Sequence, residues 1–295
     1  MQLKRRLYQL DVFTSKPFAG NPLAVITDGD NLSRPQMQAI AREMNLSETV
    51  FVQRPTSNRA LARLRIFTTT RELPLAGHPV IGTWFLLAEL GVVPASEGQV
   101  QIQQQTGAGI LPVEITFRGG RPARVTMTQK EARFKTPTIS RGTLAESVGL
   151  HASDIDSALP IELVSSGIFN LMVPLKGKAT LKRIRANPRA LFHVLNGNGT
   201  MAYCFALGGR GKAFARGMLP WEITEDAATG SAGGSLGAYL VRHNKLRAGE
   251  HLSITQGVEI GRPSEIHAVV ANEKGKLTPR VSGAAVRIFE GHIDF

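Results

Sequence analysis

Apolar and polar residues alternate along most of the chain, and the alternation gives way twice to longer apolar runs of helical character. The stretch "LYQLDVFTSKPFAGNPLAVI", residues 7–26, reads as two short strands around a turn-rich centre marked by Pro17, Gly20, Asn21 and Pro22. Ser33 stands as an N-cap, with Pro35 inside the first turn, for a helix running to Met44. "SETVFVQ" (47–53) and "ARLRIFT" (62–68) alternate as strands. The apolar run after Gly77 predicts a helix to about Leu90, stopped by Gly91. "QVQIQQQ" and "LPVEITF" are strands whose "TGAG" connection signals a hairpin. After about Lys130 the same elements return. "LAESVGL" is a short helix, "IELVSSGIFNLMVPL" and "MAYCFAL" are strands, a helix follows Gly230, and "HLSITQG", "EIHAVVA" and "AAVRIFE" close the chain as strands.

Each half therefore reads strands, helix, strands. At an offset of 153 positions Glu72 matches Glu225, Gly77 matches Gly230 and Leu87 matches Leu240. The predicted fold is α+β: two similar domains, each a curved sheet wrapped on one long helix. The first spans 1–128 and is joined by the C-terminal strand 280–295; the second spans 129–279.

Composition sharpens this little. With 295 residues, 42% hydrophobic and 20% charged, the chain is of ordinary globular type and long enough for two domains. No apolar run approaches the roughly 20 residues of a membrane span, and no signal peptide is evident, so a cytoplasmic protein is expected. A single cysteine excludes an internal disulfide framework. The net charge of +12 is scattered, with looser clusters at Lys182, Arg183, Arg185 and Arg189 and at Arg210, Lys212 and Arg216. No basic helix with interleaved aromatics occurs, which argues for a solvated basic surface suited to an anionic substrate and against nucleic acid.

The candidate chemistry gathers at the two helix starts, "LAGHPVIG" and "ATGSAGGS". A helix N-terminus offers unpaired N–H groups and a positive dipole end, and glycine lets a ligand approach the backbone. Gly77 and Gly230 with Ser231 thus form candidate carboxylate-binding elements; plain capping, with Ser231 as an ordinary N-cap, is the alternative. His78 either packs near its helix start or stands as a neutral donor or acceptor, its pKa lowered by the helix terminus. Glu48 shares a strand face with Val50 and Val52, so it either reaches a pocket or sits at a solvated strand end. Asp226, beside Glu225, is either a dipole partner or a second proton-handling carboxylate. No HExxH, CxxC, GxGxxG or Walker-type loop is present, so neither a metal nor a nucleotide cofactor is expected. Cys204, within "AYCFAL", reads as a buried small apolar residue.

"LDVFTSKPFAGNPLAVI", "NLSETVFV", "RIFTTTRELPLAGHPVIG", "EDAATGSA" and "GVEIGRPSEI" together resemble the PhzF-like phenazine-biosynthesis family, in order and over nearly the whole chain. The resemblance implies the diaminopimelate-epimerase fold, with its active site in the cleft between two domains, and a homodimer. It implies that Glu48 is the acid/base that moves a proton, and that His78 and Asp226 complete the polar site. It also implies that Ser231 and the backbone at Gly77 and Gly230 bind the substrate's carboxylate. Where the epimerase branch carries two catalytic cysteines this chain has Ala76 and Thr229, which argues against cysteine racemisation. Ala227 in place of the family's usual proline and Val80 after "GHP" leave substrate identity open. The expected activity is a cofactor-independent isomerase shifting a proton on a small carboxylate. A cysteine-independent epimerase and a non-catalytic carboxylate binder of the same fold are the alternatives.

Overall fold

A computed structural model describes residues 4–220 and 225–294. The chain divides into two compact units, residues 1–127 with 282–295, and residues 128–281.

In the first unit, strand Lys4–Val12 lies antiparallel to both Ala285–Asp294 and Asn21–Ile26. Asn21–Ile26 runs parallel to Thr49–Gln53, which is antiparallel to Ala62–Phe67. Ala62–Phe67 is parallel to Gly98–Thr106, and Gly109–Arg118 and Arg121–Thr128 follow as antiparallel neighbours. The helix Gly77–Glu89 is buried from His78 through Ala88, on every side, as a helix at the centre of a curled sheet must be. Gly82 is what allows the sheet so close, since a Cβ there would come within 2.6 Å of the Leu23 and Val12 side chains. Trp84, fully buried on this helix, donates its indole N–H to Gln104 Oε1 at 2.8 Å, which settles its one polar atom. The helix Arg34–Met44 covers the outside of the sheet and opens with a capping box between Ser33 and Gln36.

The second unit repeats the order of directions. Phe169–Pro174 runs parallel to Ala202–Leu207, which is antiparallel to Lys212–Met218. Lys212–Met218 is parallel to His251–Gln256, which is antiparallel to Ser264–Glu273. Glu162–Ser165 lies between Arg133–Lys135 and Phe169–Pro174, antiparallel to both. The central helix Gly230–Arg242 has the same length as its counterpart and buries ten residues. Its glycines replace bulk with proximity: a Cβ on Gly233 would meet Ile266 at 2.9 Å.

The structure departs from the sequence expectation at three places. "IELVSSGIFNLMVPL" is two antiparallel strands, because the chain reverses at residues 166–168. The helix expected at "LAESVGL" runs Arg141–Ser147, beginning at the Ser140 cap. Helices Lys178–Arg183 and Pro188–Leu195 were not anticipated. They press Leu181, Leu191 and Val194 onto a core with Leu144, Leu171 and Cys204, while Lys182, Arg183, Arg185 and Arg189 stay exposed. That basic cluster is the solvated side of amphipathic packing.

Candidate active site

Glu48 immediately precedes strand Thr49–Gln53, whose residues 49–52 are buried on both faces. The strand thus has no solvated face, and alternation alone could not have decided where Glu48 points. Its carboxyl is 16% exposed, with Oε2 at 3.3 Å from Nε2 of His78, which is 8% exposed. His78 is the second residue of the helix Gly77–Glu89, held there by Pro79 in the same turn.

The other ring nitrogen of His78 donates to the Pro22 carbonyl, and burial, opposed by that bond, depresses the pKa to about 3. Burial is therefore the main cause, where the sequence had suggested the helix dipole. The imidazole is neutral, its proton on Nδ1 facing Pro22, and Nε2 presents a lone pair toward Glu48. Above pH 6.5 the ring is neutral in both folded and unfolded chains. Between 6.5 and about 3 only the unfolded chain takes up the proton, so stability falls as the pH drops through that window. Urea unfolding should show His78 costing about 2 kcal/mol at pH 5 relative to pH 7.5. His78→Asn should lack that part of the acid loss.

In the second unit Asp226 belongs to the two-residue strand Glu225–Asp226, paired with Gly217–Met218. Its Oδ2 accepts the Thr229 hydroxyl at 2.6 Å. Gln256, fully buried, donates from Nε2 to the Asp226 carbonyl at 2.8 Å and to Thr229 Oγ1 at 3.0 Å. Its Oε1 accepts the Thr229 N–H at 3.2 Å and the Tyr203 hydroxyl at 2.9 Å. The first turn of the helix is moored by its carbonyls: Gln129 Nε2 donates to Gly230 O at 2.9 Å, and Ser166 Oγ to Ser231 O at 3.2 Å.

Both central helices begin with glycine as the first helical residue, and their N-caps are Ala76 and Thr229. Ser231 is the second helical residue, so the ordinary N-cap expected of it is not found. Neither cap residue's side chain closes the helix start, whereas Ser33, Ser140 and Asn187 do so elsewhere. Thr229 gives up an interaction commonly worth about 1 kcal/mol and turns its hydroxyl to Asp226 instead.

The halves also share a buttress. Glu72 is clasped by Arg65 at 2.8 Å through two nitrogens, and Glu225 by Arg216 at 2.5–3.1 Å. The chemistry has diverged on this common frame. Met201 stands 153 positions after Glu48, and Leu73 stands 153 before Asp226. Burial raises the Cys204 thiol to about 12, which fits a packing residue. A surface pocket of about 510 Å³ between helices Arg141–Ser147 and Pro188–Leu195 contains none of the candidate residues. Gln256 and Tyr203 escaped the sequence reading, which marked Pro22 only as a turn residue and Thr229 only as the occupant of a cysteine position; the glycine motif beside Thr229 was the available signal.

A duplicated sheet, each half wrapped on a buried helix, is a fold shared with other proteins. A probable proline racemase from Agrobacterium radiobacter shares the fold, with TM-score 0.70 at 16% identity over 98% of this chain and 92% of its own. The model of the phenazine biosynthesis-like protein family matches residues 10–291. Trans-2,3-dihydro-3-hydroxyanthranilate isomerase of Pseudomonas chlororaphis is 38% identical over 96% of this chain and 97% of its own length. A Bacillus anthracis PhzF-family phenazine biosynthesis protein superposes with TM-score 0.90 at 29% identity, covering 99% of both chains. The chain belongs to the phenazine biosynthesis-like (PhzF) family and is an isomerase. Among the described residues no helix is long and apolar enough to cross a membrane.

Proposed function

We propose that this isomerase moves a proton between two carbons of a small carboxylate-bearing substrate, with Glu48 taking and returning it. The observation that carries the reading is the 3.3 Å approach of the Glu48 carboxyl to a neutral imidazole held by Pro22. With its proton fixed on Nδ1, His78 presents Nε2 as an acceptor, so a proton collected by Glu48 has a partner to rest against before it is returned. The C–H electron pair released at one carbon becomes a shifted double bond, and Glu48, whose carboxyl proton exchanges with solvent, returns a proton further along. Atoms and electrons balance within the substrate. Asp226 polarises the substrate during the shift, and the N–H groups at Gly77, Gly230 and Ser231 receive its carboxylate. Their N-cap side chains leave these starts uncapped, which supports that assignment. The reading extends to a cytoplasmic homodimer without a nucleic-acid partner.

The relative's substrate, trans-2,3-dihydro-3-hydroxyanthranilate, heads the panel that tests this. Incubation in deuterated water followed by mass spectrometry should give an isomer of one panel carboxylate, with solvent label entering at the receiving carbon. Inversion of a stereocentre without double-bond migration would instead establish an epimerase.

A further inference from the structure

The amide of Gln256 is saturated, and the saturation dictates where one particular hydrogen points. Its oxygen faces two donors, the Thr229 N–H and the Tyr203 hydroxyl, while its nitrogen faces the Asp226 carbonyl and Thr229 Oγ1. Rotating the amide by half a turn would set its N–H groups against the Thr229 N–H and leave the Asp226 carbonyl facing an oxygen. One orientation therefore satisfies the group. In that orientation Thr229 Oγ1 receives a hydrogen from Gln256, and its own hydrogen lies along the 2.6 Å contact to Asp226 Oδ2. Oδ2 is then an acceptor.

We infer that Thr229 is a positioning residue for Asp226, its hydroxyl proton committed by Gln256 to the carboxylate so that Asp226 stays ionised and fixed in direction. This rests on the reading that Asp226 works on the substrate. Three facts converge on it. Thr229 occupies an N-cap and declines to cap. Gln256 and Tyr203 are both fully buried, so neither exchanges its bond for water. Gly257, next in the chain, sits at φ +78° where a Cβ would come within 2.5 Å of the Ala227 carbonyl, which fixes the backbone carrying Gln256 against the Asp226 loop. In the other half the equivalent of Thr229 is Ala76 and that of Asp226 is Leu73, so the hydroxyl is present where there is a carboxylate to hold.

Among the described residues of its unit, Arg262 borders the same loop, its carbonyl crowding the Cβ position of Gly257 together with that of Ala227. Tyr203 is kept neutral, since burial raises its pKa. Glu225 precedes Asp226 on the strand and is neutralised by Arg216. Tyr203 therefore keeps its charge state across the acid range in which an aspartate titrates. Two or three donated hydrogen bonds can take a carboxylate from about 4 to below 2, so one accounts for roughly a pH unit.

The test is a ¹³C titration of side-chain carboxyls in the full-length protein without substrate, with the Asp226 signal assigned by its loss in Asp226→Asn. Thr229→Val, which keeps the shape and removes the hydroxyl, should move the Asp226 midpoint up by about one pH unit. Thr229→Ala, which removes atoms only, should do the same. Thr229→Ser should restore the wild-type midpoint. A midpoint unchanged in Thr229→Val and Thr229→Ala would overturn the inference. So would a Thr229→Ser midpoint that stays with the valine variant, because the methyl group would then be what matters. Since no turnover is measured, failure of the isomerase assay leaves this result intact, and failure here leaves Glu48 and the proton shift untouched.

Discussion

Glu48→Gln should lower the rate of isomerisation by about 10³-fold while the protein folds as before, because general acid–base catalysis by one group supplies about 10²–10⁴-fold. The substitution is close to isosteric. Nε2 of His78 presents an acceptor, and a glutamine amide can donate to it, so the local structure gains a neutral hydrogen bond in place of the 3.3 Å approach. Urea unfolding midpoints should agree with wild type within experimental scatter. Glu48→Asp separates position from chemistry: it keeps a carboxyl but withdraws it by one methylene, and a displacement of about 1 Å is enough to cost about 10²-fold. The ordering wild type, Asp, Gln, read from both product formation and deuterium uptake, identifies the base. Equal label uptake by wild type and Glu48→Gln would move the base elsewhere.

The sequence made the helix starts legible because Gly, Pro and Ser announce their backbone roles locally: Ser33 with Gln36, Gly77 with Pro79, and Gly91 at φ +78°. The fold class followed from those marks and the doubled order of elements. What was lost lay in pairings between distant segments. Asn21–Ile26 joins Thr49–Gln53 in parallel across an intervening helix, and no local pattern encodes that neighbour. Strand Arg121–Thr128 carries proline and two arginines, which hid it, and the basic faces of Lys178–Arg183 and Pro188–Leu195 hid two helices. The site shows the same division. Glu48 and His78 stood out as chemistry-bearing residues, but their approach depends on a strand buried on both faces. The neutral state of His78 depends chiefly on burial, which no residue near it in sequence announces. Thr229 was hidden for the opposite reason, since local logic assigns a threonine before a helix to capping, and only Gln256, 27 positions away, redirects it.

The two clasped glutamates provide the largest expected effect on stability, and the contrast between them is the informative part. Glu225 is 3% exposed and Arg216 9%, with three contacts of 2.5–3.1 Å between them. Glu72 is 26% exposed, Arg65 is 16%, and Arg34, a second partner, is 68% exposed. Glu225→Gln would leave a guanidinium in the interior without its counter-charge, a change that costs about 3–5 kcal/mol. Glu72→Gln, with water at hand to replace the lost partner, should cost no more than about 1 kcal/mol. Arg65 is also the main reason the Glu72 pKa is lowered, so the contribution of that pair is present at neutral pH and fades as the carboxylate protonates in acid. Arg216 does further work: its remaining nitrogen donates to the Leu181 and Ile184 carbonyls at 2.9 and 3.3 Å and so fixes the end of helix Lys178–Arg183. Replacing the whole pair by apolar side chains, Arg216→Met with Glu225→Leu, removes both buried charges at once and should recover much of the loss seen in Glu225→Gln. Recovery should stop short of wild type, because those two carbonyls lose their donor. Urea unfolding of the three variants measures each step. A Glu225→Gln penalty as small as that of Glu72→Gln would mean that water reaches Arg216, and a complete recovery in the double variant would mean that it reaches the carbonyls.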